Sequence, residues 1–227
     1  MFATPLPVFR FLLPAFIVFL LILGLYNFIY LKTIHKANVW IWLGPILFFV
    51  SWFGLFFIVP NDFLRGMFLL LGLLIGYWIE NLLGHEGQHI IFNRVVIISF
   101  AGFVTIESLS SYYLVHSLIY LLAVFGFLVL LVRSFYESTP QPVKVKWLGT
   151  LLVSLLCTEL FWALSFLPFH YSVLALMLFN LFYLIWSLNY YSLFNILSPR
   201  KIQFQVLIAF AFIIFIVLLS PWRVLVP

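Results

Sequence analysis

About eight runs of some twenty apolar residues follow one another along this chain, separated only by short polar stretches. A helix needs about 20 apolar residues to cross the roughly 30 Å hydrocarbon core of a bilayer. The runs that qualify are 11–31, 38–59, 64–83, 91–110, 113–134, 145–167, 169–192 and 203–221. Lipid offers no water to an unpaired backbone amide, so these runs read as helices. The expected fold is therefore all-α: a polytopic transmembrane helical bundle of about eight spans, with residues 1–227 forming one transmembrane domain.

Composition agrees. Hydrophobic residues make up 66% and charged residues 7% of the chain, too little polar surface to cover a water-soluble fold. The 29 phenylalanines suit a surface that meets lipid tails. The net charge of +5 does not imply nucleic acid, because the bases are scattered between apolar runs. Cys157, the single cysteine, excludes an intrachain disulfide and a cysteine metal cluster. One base, Arg10, precedes the first run and no A-x-A-like cleavage site is present, so that run reads as a retained span.

The stretch 91–134 decides between seven spans and eight. Val95 to Val132 as one helix would be about 57 Å long, nearly twice the membrane. Ser108, Ser110, Ser111, Tyr112 and Tyr113 are the natural place for a turn. With eight spans, Lys32, Lys36, Arg94, Arg133, Lys144, Lys146, Arg200 and Lys201 share one side, against Arg10, Arg65 and Arg223 on the other. That excess predicts a cytoplasmic (inner) membrane protein with both termini outside. Pro60, Pro168 and Pro221 fall where spans reach the outer face, where a helix can stop.

Four groups of residues bear on function. His85-Glu86-Gly87-Gln88-His89 matches H-E-x-x-H, in which two histidines on one helix face hold zinc and the glutamate acts as base. Two glycines, Gly84 and Gly87, disfavour the helix, and no aspartate follows the motif to supply a third ligand. The motif also falls in a predicted loop, so a solvated loop is the preferred reading and no cofactor is expected.

Glu80, Glu107 and Glu159 place carboxyls within spans, where charge is costly. Glu80 and Glu107 lie near span ends. Glu159 lies deeper, about two turns before Pro168, and is expected inside the bundle as a neutral carboxyl bonded to a backbone carbonyl or to Asn180. Together with Asn180, an interhelical hydrogen-bonding residue, these three make a candidate intramembrane polar site.

Gly72 and Gly76, in line with Glu80, form a stripe that lets a neighbouring helix approach. Thr150, Ser154 and Thr158 form a second small stripe beside Glu159, suited to packing or to lining a narrow polar path. His116 and His170 near the outer face read as hydrogen-bonding residues.

Glu80-Asn81, and Glu159 with Trp162, Leu164 and Pro168, within a layout from Val39 to Trp222, resemble a family of uncharacterised multi-span membrane proteins of reduced-genome bacteria. The resemblance implies no activity. A structural or assembly protein is the default reading. A proton- or ion-linked transporter using Glu159 comes second and a membrane zinc protease third. The expected partner is the lipid bilayer, with another membrane protein or a second copy left open.

Overall fold

The computed structural model describes residues 43–56, 59, 62–81, 88–112, 117–137, 139, 141–194 and 196–220, together with six helical residues between Val18 and Ile29. Among the described residues the regular elements are seven helices: α1 (Leu43–Phe56), α2 (Asp62–Asn81), α3 (Gln88–Tyr112), α4 (Ser117–Tyr136), α5 (Val143–Ser165), α6 (Tyr171–Leu193) and α7 (Pro199–Leu219). Helices α3 to α7 each carry a stretch long and apolar enough to cross a membrane, while α1 and α2 carry shorter ones. The run expected at 11–31 lies largely outside the described residues.

Local chemistry explains the boundaries. The side chain of His170 accepts from the Ser172 amide at the start of α6, and Ser198 caps α7, with Pro199 at the first helical position. Pro142 precedes α5, where its missing amide proton costs nothing.

The stretch 91–134 is two helices packed against each other, but the turn is not at the serines. Helix α3 continues to Tyr112, and Ser108 and Ser110 lie inside it. Their hydroxyls donate to the carbonyls of Val104 and Glu107, at 2.7 and 2.8 Å. Hydroxyls satisfied by the preceding turn do not break a helix in an apolar setting.

Helix α3 is the hub, packing against α1, α4 and α6, while α5 closes on α4 and α6 and α7 leans on α6. A column of rings fills the centre. Phe103 meets Phe182 edge-on at 5.4 Å, Phe182 stacks near Trp186 at 6.1 Å, and Phe135 meets Trp186 edge-on at 4.4 Å. Each of these four rings is buried.

The glycine stripe on α2 serves packing within the chain. A Cβ at Gly72 would run into the Trp52 indole, and one at Gly76 into the Phe49 ring. Trp52 uses the space to donate its indole N–H to the Phe68 carbonyl at 2.9 Å and to stack on the Phe68 ring at 4.3 Å. Bare backbone on one helix thus receives large rings from the next, as small residues permit in membranes.

Candidate functional site

Polar and apolar residues are spread round helix α5 without a marked stripe, so its hydrophobic pattern names no inward face. Side-chain size does. Thr150, Val153, Ser154, Cys157, Phe161 and Leu164 are buried, and most of these are small enough to bring α5 close to α4. Two hydroxyls here turn back on their own helix: Thr150 donates to the Lys146 carbonyl and Thr158 to the Ser154 carbonyl, each at 2.7 Å, while the buried Ser154 hydroxyl has no partner among the described residues. The stripe is a packing surface, and those bonds leave the two threonine protons pointing along the helix.

Glu159 lies about 140° around the helix from Ser154 and about 160° from Cys157, at 3.6 residues per turn. It therefore faces outward and is exposed. This corrects the expectation of a carboxyl inside the bundle near Asn180. The physical reason is that the small residues took the inward face and left the large ones, with Glu159 among them, to the outside. Leu148, Leu152, Leu155, Trp162 and Phe166 surround it on that face, each more than half exposed. Glu159 makes no hydrogen bond or ion pair among the described residues. It stands about 9 Å from the end of α5 at Ser165 and about 24 Å from its start, by helical rise. An acidic or basic group placed at the centre of a membrane helix costs at least about 2.5 kcal/mol on insertion scales, so such residues normally face protein or water.

The other members of the expected polar site go elsewhere. Asn180 is buried on α6 and donates to the Ala209 carbonyl of α7 at 2.9 Å, anchoring the last helix. Glu107 is buried on α3 at 2% exposure. Glu80 belongs to α2, and its side chain lies outside the described residues. The outward Glu159, the inward Glu107 and the α7-facing Asn180 do not form one site.

His85, Glu86 and Gly87 lie outside the described residues, as does the side chain of His89. Among the described residues no three His, Cys, Asp or Glu side chains are grouped to hold a metal. His116 also lies outside them.

One polar cluster was not anticipated. Arg133 is buried and pairs with Glu137 one turn on, while Lys146 approaches the other Glu137 oxygen at 3.7 Å. The Arg133 guanidinium lies over the Trp147 ring, 4.6 Å from its centre. Beside it the buried Tyr136 donates to Asn189 on α6 at 3.0 Å. This cluster ties α4, α5 and α6 together at the base-rich end. Its signal in the sequence is the i, i+4 spacing of Arg133 and Glu137, hidden when the bases are counted only as loop charges. Arg94 is buried as well, with its guanidinium against Gly44 of α1. A groove of about 590 Å³ runs along the outer side of α7, past Val206, Phe210 and Ile214. It touches none of the acidic residues above.

The long apolar helices and this distribution of charge define the class: a helical membrane protein with several spans. No protein-family model, curated protein or solved structure matches the chain.

Proposed function

We propose that this protein is a structural or assembly component of its membrane, working through the outward face of α5 around Glu159. The observation that carries the reading is a carboxyl set in the middle of an apolar stripe and turned away from its own bundle. Hydrocarbon on that side leaves the carboxyl unsatisfied, whereas a protein partner satisfies it. A carrier that moves protons through its interior would keep its acidic side chain on an internal path. The outward turn of Glu159 weighs against that use of it, as does the ring column through α3, α4 and α6. The zinc protease reading rests on residues outside those described and gains no support. The positive-inside rule favours the cytoplasmic membrane, with the base-rich end inside.

A photo-crosslinking residue at Leu155, next to Glu159, is expected to capture protein in native membranes. The same residue at the still more exposed Leu74 on α2 should capture lipid. Lipid alone at both positions overturns the proposal. Proteoliposomes of the pure protein should pass no proton current that Glu159→Gln abolishes, and such a current would establish the carrier instead.

A further inference from the structure

We infer that the outward face of α5 is where two copies of this chain meet, with their Glu159 carboxyls paired across a two-fold axis normal to the membrane. The inference rests on the assembly reading above and names its partner. Two features of the face select a second copy.

The first is spacing. Leu148, Leu155 and Trp162 are seven apart, as are Leu152, Glu159 and Phe166, and all six are exposed. Two interleaved sevens make the seam of a left-handed helix pair, with Glu159 as the single polar position that sets the register. The opposite, small-residue face of α5 is already occupied by α4 and α6.

The second is symmetry. An axis normal to the membrane maps each residue to its own depth in the partner, and the two copies of α5 run parallel. In such a pair, identical residues meet layer by layer. Glu159 therefore meets Glu159. A neutral carboxyl carries one donor and one acceptor, so two of them satisfy each other and need no base from elsewhere. Among the described residues the seam offers no lysine, arginine or histidine between Leu148 and Phe166, so a partner with an acidic counterpart at the same depth fits it as it stands. Trp162, one turn nearer the end of α5, adds flat apolar area beside the pair.

The test uses the purified full chain in phosphatidylcholine–phosphatidylglycerol vesicles, with association read by single-molecule photobleaching over a dilution series. The wild type is expected to dimerise, and Glu159→Gln to keep the dimer because an amide also carries donor and acceptor. Glu159→Leu should weaken association about three- to twentyfold, the range for interhelical hydrogen bonds in membranes. Since Glu159 is exposed and makes no hydrogen bond or ion pair among the described residues, the leucine variant should fold as the wild type does. In a Cys157→Ala background, Leu155→Cys should form an intermolecular disulfide and Leu74→Cys should not. Monomers at every density, unchanged association of Glu159→Leu, or a disulfide at Leu74 in preference to Leu155 each overturn the inference. A monomer in vesicles whose Leu155 crosslinks a different protein in native membranes defeats the second copy and leaves the assembly reading standing. Lipid alone at Leu155 in native membranes defeats both.

Discussion

Glu137 and Glu159 are the same side chain in opposite settings. Glu137 is held between Arg133 and Lys146, and the paired side chains of Arg133 and Glu137 are 5% and 9% exposed. Removing one partner of a buried pair leaves the other charge uncompensated, at a cost of about 3 kcal/mol. Glu137→Ala is therefore expected to lower stability by about that much, measured by thermal or denaturant unfolding in detergent. Glu159→Leu should leave the stability of the monomer within about 0.5 kcal/mol, as for a surface change away from other features. A Glu159→Leu variant that unfolds as readily as Glu137→Ala would contradict the outward placement. The Arg133–Glu137 spacing was readable in the sequence; its burial was not, because the burial depends on where α5 and α6 lie.

Between elements, what matters is how near two backbones come. Gly72 lies under the Trp52 indole, whereas Gly66, on the same helix, has open space around it. Gly72→Ala is expected to destabilise by about 1–3 kcal/mol through overpacking against α1. Gly66→Ala should be neutral or slightly stabilising, because alanine is the better helix former. Equal effects at both positions, by the same unfolding measurement, would show that the stripe does not set the spacing of α1 and α2. The stripe itself was legible as small residues four apart. Its partner was not, since the rings that fill it, Phe49 and Trp52, look in the sequence like any other aromatics in an apolar run. The same limit applies to Asn180: a polar residue in a span invites an interhelical bond, but only the packed bundle assigns that bond to Ala209.

Across the whole molecule, alternation of spans puts Lys144 on the base-rich side and Leu167 on the other. Cysteines at 167 should react with an impermeant maleimide from outside, and cysteines at 144 only after the membrane is opened. Labelling of 144 in intact cells would reverse the orientation. That the chain enters membranes and does so as helices follows from sequence alone, because the cost of burying polar side chains and unpaired amides in lipid is set by composition and run length. The division of 91–134 into two helices follows likewise, from the length one helix would have there. The inward face of each helix is another matter. In water, an amphipathic stripe marks that face. Here lipid and core are equally apolar, so the hydrophobic pattern carries no such mark and residue size has to stand in for it. On α5 the expected stripe Thr150, Ser154 and Thr158 reads as lying beside Glu159, but the buried small residues Thr150, Ser154 and Cys157 lie about 140–180° from it, an angle already present in the numbering. What only the tertiary structure decided is that α4 and α6 take the small face, where small side chains let the backbones come close. That choice turned a presumed internal carboxyl into an outward one.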